Sequence, residues 1–94
     1  MFYWLNKCGV ESETGFVVQI IGVDLLSYRE NGRKIDFYTE TYQSGGVLYL
    51  DLWRTKLASW ESGVKISEPS QEQILNNIRS ALKFMEIELL VQDS

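Results

Sequence analysis

The chain has 94 residues, and its 13 acidic and nine basic side chains give it a formal net charge of −4 and a pI near 4.7. Hydrophobic residues make up 45% and aromatic residues 13% of the sequence, which is typical of one globular domain spanning residues 1–94 and excludes a disordered chain. The negative charge disfavours nucleic acid as a partner, because phosphate backbones are repelled, and fits a basic protein better. The alternative is that a mild negative charge only keeps the protein soluble.

Residues that commonly carry out catalysis or bind metals are scarce. Histidine is absent and Cys8 is the sole cysteine, so the sequence has no disulfide, no Cys/His zinc site and no histidine base for a cysteine nucleophile. Glu40 and Asp51 could in principle act as the acid and base of a glycosidase, but no other feature predicts a sugar-binding cleft. We therefore expect a non-enzymatic protein that uses no cofactor and no metal.

No segment has the pattern of a targeting or membrane sequence. The segment from Met1 to Leu5 is apolar but only five residues long and lacks a basic leader, unlike a signal peptide. No apolar run approaches the ~20 residues that a membrane span needs. We therefore expect no membrane association and a cytoplasmic location.

The first thirty residues contain short apolar runs separated by polar ones. Phe2 to Leu5 predicts either an edge strand or an aromatic plug against the sheet, and the polar segment 6–14 predicts a loop. The β-branched run from Phe16 to Ile21 predicts a strand that is buried on both faces or crosses the core. Gly22 predicts a bend, and a second strand should follow from Val23 to Glu30.

Lys34 to Tyr42 alternates strictly between its two faces and predicts the middle strand of a three-stranded antiparallel meander. Asn31-Gly32 precedes it, and this pair supplies the positive φ angles of a two-residue type I′ turn. That turn sets the following opposite pairs: Glu30 with Arg33, Tyr28 with Ile35, and Leu26 with Phe37.

The second hairpin of the meander has two possible turns. A turn at Ser44-Gly45 pairs Thr41 with Leu48, Thr39 with Leu50, and Phe37 with Leu52. A turn at Gly45-Gly46 shifts these pairs by two positions and keeps every side chain on the same face. In either case the predicted core face comprises Leu26, Tyr28, Ile35, Phe37, Leu48, Leu50 and Leu52.

A helix is predicted in the last third of the chain. Ser67 can cap it, with Pro69 in the first turn, although Ser70 and Gln73 offer a second capping box. Its apolar stripe should pack on the core face of the sheet and contains Ile74, Leu75, Ile78, Ala81, Leu82 and Met85. The helical stripe ends there, and alternation predicts a last strand from about Ile87 to Gln92.

The predicted fold is therefore α+β. An antiparallel β-meander sheet of about five strands has one C-terminal amphipathic α-helix packed on one face, and a short final strand follows the helix.

The face of the meander that points away from the helix carries the candidate binding residues. With the turn at Ser44-Gly45, Tyr38 lies opposite Asp51 and Glu40 opposite Tyr49, so that rings and carboxylates alternate. Tyrosine and tryptophan are enriched at binding hot spots, and carboxylates accept paired hydrogen bonds from arginine or lysine. The candidate partner-binding residues are Asp36, Tyr38, Glu40, Tyr42, Tyr49, Asp51 and Trp53. The alternative is that an N-terminal segment or the final strand covers some of these rings, or that the rings only shield the sheet.

One resemblance to a family rests on the order of several segments. These are Tyr28-Arg29-Glu30-Asn31-Gly32-Arg33, then Glu40, then Trp60-Glu61, then Ile74, Ile78, Ala81-Leu82 and Phe84 before a closing strand. This layout resembles that of small immunity proteins from bacterial polymorphic-toxin and contact-dependent growth inhibition systems. The resemblance implies a cytoplasmic protein that binds and neutralises a cognate toxin domain, often a basic nuclease.

The alternative is a non-enzymatic structural or adaptor domain that self-associates through its sheet, its edge strand and its aromatic residues. The expected oligomeric state is a monomer or a weak dimer.

Overall fold

A computed structural model describes residues 1–22 and 24–93, which form a seven-stranded sheet, one short 3₁₀ helix and one α-helix. The strands are β1 (Phe2–Asn6), β2 (Gly9–Ser12), β3 (Val17–Ile20), β4 (Leu25–Glu30), β5 (Arg33–Ser44), β6 (Val47–Trp53) and β7 (Ile87–Gln92). The 3₁₀ helix spans Arg54–Leu57 and α1 spans Glu68–Phe84. The order of strands in the sheet follows the chain from β1 to β7; β6 and β7 are parallel, and every other neighbouring pair is antiparallel.

The α+β class, the single C-terminal helix and the closing strand from Ile87 to Gln92 are confirmed. The predicted count of about five strands is wrong, because the sheet has seven. Phe2–Asn6 forms the edge strand that was one of two alternatives for this run. The predicted start of the strand before the Asn-Gly turn, Val23, lies outside the described residues, and β4 begins at Leu25.

The segment 6–14 was predicted as a loop, and this is wrong because it contains strand β2. The polar composition of this segment hides it, since only Val10 is apolar between Gly9 and Ser12. Pairing on both sides compensates, with β1 on one side and β3 on the other. Gly9 is required by close approach, because a Cβ atom there would meet Cγ of Gln19 at 2.8 Å.

The first hairpin has the predicted register. Asn31 and Gly32 adopt φ angles of 50° and 75°, as a type I′ turn requires. Three opposite pairs follow as expected: Glu30 with Arg33, Tyr28 with Ile35, and Leu26 with Phe37. The apolar partners all lie on the buried face of the sheet.

The second hairpin turns at Gly45-Gly46, whose φ angles are 57° and 82°. Of the two predicted registers the structure therefore has the shifted one, and its pairs are Ser44 with Val47, Gln43 with Leu48, Thr41 with Leu50 and Thr39 with Leu52. Leu48 was predicted to be in the core, but it remains 38% exposed, because the tip of this hairpin extends past the buried part of the sheet.

Strand β5 joins the two parts of the sheet. Its first half, Arg33 to Tyr38, pairs with β4, and its second half, Thr39 to Ser44, pairs with β6. At the junction, the N–H of Thr39 donates to the carbonyl of Asp24 over 2.8 Å. The pairing of β5 with β4 therefore ends where its pairing with β6 begins.

Helix α1 packs on one face of the sheet through its predicted stripe. Ile74, Leu75, Ile78, Ala81 and Leu82 are buried, while Met85, just beyond the helix, is half-buried against the core. Ser67 is the N-cap, since its hydroxyl oxygen accepts from the N–H of Ser70 over 3.4 Å. No helix in the described part of the chain is long and apolar enough to span a membrane.

The helix ends without a glycine. Glu86 adopts the left-handed conformation, with φ of 64°, and its N–H donates to the carbonyl of Lys83 over 3.0 Å. Glycine is the usual residue at this position, because a side chain in that conformation costs roughly 1 to 2 kcal/mol. Glu86 therefore turns the chain into β7 at some cost in stability.

A buried aromatic group joins the sheet to the segment before the helix. The ring of Tyr28 stacks on Trp60, with 6.2 Å between ring centroids. The Tyr28 hydroxyl donates to Glu30 over 3.0 Å and accepts from the amide of Asn77 on α1 over 2.9 Å. Burial raises the pKa of Tyr28 above its ordinary value, so the hydroxyl stays protonated in this network.

Candidate functional site

The outer face of the sheet is defined here as the face opposite α1. The alternation of each strand places all seven predicted binding residues on it, and we call these seven residues the outer-face cluster. Their exposure is unequal: Tyr38 is 70% and Tyr42 is 44% exposed, and Glu40 is also exposed. Asp36, Tyr49, Asp51 and Trp53 are partly covered by their neighbours in the sheet.

The observed register changes which side chains meet across β5 and β6. The predicted pairs of Tyr38 with Asp51 and of Glu40 with Tyr49 are wrong, because they required the turn at Ser44-Gly45. Glu40 instead lies opposite Asp51, and Tyr42 lies opposite Tyr49. The two tyrosine rings stack, with 5.3 Å between centroids and 20° between their planes. Like residues therefore face each other, in an acidic pair beside an aromatic pair.

The acidic pair at Glu40 and Asp51 has no cation to balance it. Among the described residues, no lysine or arginine forms an ion pair with either carboxylate. Asp51 accepts a hydrogen bond from the side-chain amide of Gln92 over 3.3 Å, which is a neutral donor. Directly opposed side chains have Cβ atoms about 5 Å apart, and like charges at that distance destabilise a sheet.

Asp36 is separated from the rest of the cluster. It lies on the first half of β5, opposite Ser27 of β4, and pairs with Lys34 over 3.4 Å. Its second oxygen, Oδ1, is buried without a hydrogen-bond partner among the described residues. The other six residues lie further along β5 or on β6, so Asp36 is the least available of the seven to a partner.

Strand β7 contributes outer-face residues that the sequence did not identify. Glu88 lies beside Tyr49, and Leu90 lies beside Asp51 and is 37% exposed. Their alternation with the buried Ile87 and Leu89 indicated which way they point. The parallel pairing of β7 with β6 had no local signal, so their position next to the cluster could not be predicted.

Arg54 holds the strands that carry the cluster in place. It follows β6 directly, forms an ion pair with Glu72 on α1, and donates from Nε to Asp93, just after β7, over 3.0 Å. These hydrogen bonds raise the pKa of Arg54 above its ordinary value. The clamp joins the end of β6 to the helix and to the end of β7.

Within the described residues, neither the cysteine thiol nor a metal-binding cluster lies at the outer face. Cys8 is exposed in the turn between β1 and β2. No group of three or more His, Cys, Asp or Glu side chains within residues 1–22 and 24–93 is arranged to hold a metal ion.

Comparisons with protein-family models, with curated proteins and with solved structures found no match to this chain.

Proposed function

We propose that this chain is an immunity protein, which binds and neutralises a cognate bacterial toxin domain in the cytoplasm through the outer face of its sheet. The proposed partner surface is basic, as in a nuclease domain, and the protein itself performs no catalysis. The observation that carries the proposal is the opposed, uncompensated pair of Glu40 and Asp51 beside the stacked pair of exposed Tyr42 and partly covered Tyr49.

The acidic pair supports a cationic ligand. Two carboxylates held opposite each other repel, and an arginine or lysine side chain placed between them would relieve the repulsion and donate hydrogen bonds to both. Glu88 adds a third carboxylate to the same region, and no described lysine or arginine pairs with it either. Sites that sacrifice local stability in this way are typical of function.

The aromatic residues support a protein as the source of that cation. Tyr38, Tyr42 and the adjacent Leu90 provide rigid, partly apolar contact area around the carboxylates. Tyrosine loses little conformational entropy on binding, and aromatic residues are enriched at the centres of protein interfaces. A small cation would not need this surrounding surface.

The experiment is co-expression with a candidate toxin, to be sought as the C-terminal tip of a large secreted protein encoded by a neighbouring gene. The double variant Glu40→Lys, Asp51→Lys should lose protection, because charge reversal at an interface costs ~2 to 5 kcal/mol in binding. Tyr38→Ala should weaken binding through faster dissociation. Cell survival is the readout, and a thermal melt of each purified variant shows whether it is folded.

The matched control for either single reversal, Glu40→Lys or Asp51→Lys, is Glu11→Lys on the outer face of β2, where the opposite residues are Tyr3 and Val17. It should leave protection intact. Full protection by the double variant would exclude the outer-face cluster as the binding site. Equal loss of protection with Glu11→Lys would mean that overall charge, and not the opposed pair, decides the interaction.

A further inference from the structure

Strand β1 leaves one edge of the sheet open. It is first in the order of strands and pairs only with β2, and no other described segment lies in register along its second edge. Its residues, Phe2–Asn6, include no charged residue and no proline. Those are two of the devices by which natural proteins block an exposed edge; a third, a break in register, lies between Trp4 and Asn6 and limits the regular open edge to Phe2, Tyr3 and Trp4. Tyr3, Trp4 and Leu5 remain 53%, 55% and 47% exposed.

The hydrogen bonds of β1 show which backbone groups are free. In an antiparallel pair, successive residues alternate between pointing their N–H and C=O at the partner strand and pointing both away. Glu13 N–H donates to the carbonyl of Met1 over 3.1 Å, so Met1 points at β2. By alternation along the register, Tyr3 also points at β2, whereas Phe2 and Trp4 point both groups at the open edge. The N–H of Ser12, the residue opposite Phe2, donates to the carbonyl of Phe16 on the β3 side of the strand. Ser12 therefore points away from β1, as the same alternation requires.

We propose that a second copy of this chain pairs with β1 along this edge, antiparallel and about a two-fold axis at Tyr3. In that register Phe2 lies opposite Trp4 of the second copy, and the reverse pair is identical. All four free groups of each strand are then used, giving four hydrogen bonds between the copies. A register centred on Trp4 would use only the groups of that residue.

Side chains on both faces fit the same register. Phe2 and Trp4 both pack on Phe84 at the end of α1. The centroid of the Phe84 ring is 5.6 Å from that of Phe2 and 5.5 Å from that of Trp4. Placing Phe2 opposite Trp4 of the second copy joins these two aromatic groups across the axis. On the outer face, the two copies of Tyr3 meet at the axis as a closely spaced pair.

Charge permits a partner with the same sequence, although the chain as a whole is acidic. The nearest acidic side chain on the outer face is Glu11 of β2, opposite Tyr3. The two copies of Glu11 would be three strand spacings apart, or about 14 Å. That distance exceeds the screening length of about 8 Å at physiological salt. A basic partner would find no carboxylate on β1 itself, so the edge suits a neutral strand such as its own copy.

The contact area predicts a weak dimer. Half-exposed Tyr3, Trp4 and Leu5 offer roughly 300 Å² per copy, which gives about 600 Å² in total and falls short of the ~1,200 Å² of stable interfaces. The dimer should therefore appear only as concentration rises. The dimer does not depend on the proposed function. Strand β1 is at one edge of the sheet, whereas the outer-face cluster lies on β5 and β6, towards the other edge.

Sedimentation velocity from about 10 µM to about 1 mM tests the dimer. The mean mass of the wild-type protein should rise above 10.9 kDa towards twice that value. Tyr3→Lys should stay monomeric, because it sets two ammonium groups against each other at the axis. Tyr38→Lys is the matched control, an equal charge change at another exposed outer-face tyrosine, and should dimerise like the wild type. A wild-type protein that stays monomeric throughout would overturn the proposal, as would a Tyr38→Lys variant that also loses the dimer.

Disulfide trapping tests the register. In a Cys8→Ser background, Tyr3→Cys should cross-link under mild oxidation, because the opposed Cα atoms at the axis are about 4.5 Å apart, within the range for a disulfide. Leu5→Cys is the control, since its two copies would be roughly 13 Å apart in this register. Equal cross-linking of both variants, or of Leu5→Cys alone, would overturn it. The survival assay distinguishes the dimer interface from the proposed toxin-binding face. Tyr3→Lys should keep protection and lose the dimer, whereas Tyr38→Lys should lose protection and keep the dimer.

Discussion

Reversing one charge of the Glu40–Asp51 pair should stabilise the protein. At about 5 Å in water, two unit charges interact by about 0.8 kcal/mol, and screening at physiological salt reduces this to roughly 0.4 kcal/mol. Glu40→Lys removes that repulsion and replaces it with attraction, so the free energy of unfolding should rise by about 0.8 kcal/mol. For a domain of this size, the melting temperature Tm should rise by about 3 to 6 °C.

Thermal melts at two salt concentrations identify the cause. In about 1 M salt the screening length falls to ~3 Å, so the gain should shrink to roughly 0.3 kcal/mol. The double variant Glu40→Lys, Asp51→Lys restores two like charges and should melt near the wild-type temperature. Glu11→Lys, which has no opposed carboxylate, should shift stability by less than about 0.5 kcal/mol. A Glu40→Lys variant that melts no higher than Glu11→Lys, or whose gain persists in high salt, would refute the reasoning.

Three further predictions concern the fold. Glu86→Gly should raise the free energy of unfolding by about 0.5 to 1 kcal/mol, because it relieves the left-handed conformation while adding some unfolded-state entropy; a lower Tm would contradict this. Ile78→Ala and Leu82→Ala should each lower it by ~2 to 5 kcal/mol in denaturant melts, since both side chains are fully buried, and losses under about 0.5 kcal/mol would disagree with the helix packing. Tyr28→Phe should lower it by about 1 to 2 kcal/mol at neutral pH, because the amide of Asn77 loses its acceptor. Because burial raises the pKa of Tyr28, the wild-type protein loses stability as the pH rises above the ordinary value of 10.0, so its advantage over Tyr28→Phe should narrow there; a constant difference up to about pH 11 would argue against that burial.

The centre of the fold was predictable because local chemistry and pattern agree there. Asn31-Gly32 favours one turn, and the apolar partners on either side of it fall on one face in that register. The helix was predictable for a similar reason, since Ser67 and the apolar stripe indicate the same start and the same buried face. Its end was less clear, because Glu86 occupies the position where glycine is common.

The remaining features depend on pairing between strands, which local sequence does not determine. Strand β2 contains poor strand formers and is stabilised by neighbours on both sides. In the second hairpin, Ser44-Gly45 and Gly45-Gly46 are both acceptable turns, and the choice decides whether Glu40 lies opposite Tyr49 or Asp51. The side of the sheet that carries each candidate residue was therefore predictable, whereas its neighbours were not.

The division of β5 between two partners has a consequence for synthesis on the ribosome. Strands β1 to β5 pair with neighbours in sequence, so their ladder can form as soon as residue 38 has emerged. The second half of β5 and β6 depend on later segments, because Leu48 pairs with Ile87, 39 positions further along. At ~5 to 20 residues per second, Leu50 and Leu52 wait about 2 to 8 seconds for α1 and β7 to cover them. During that interval the nascent chain presents an apolar hairpin, and we expect a ribosome-associated chaperone to bind it there.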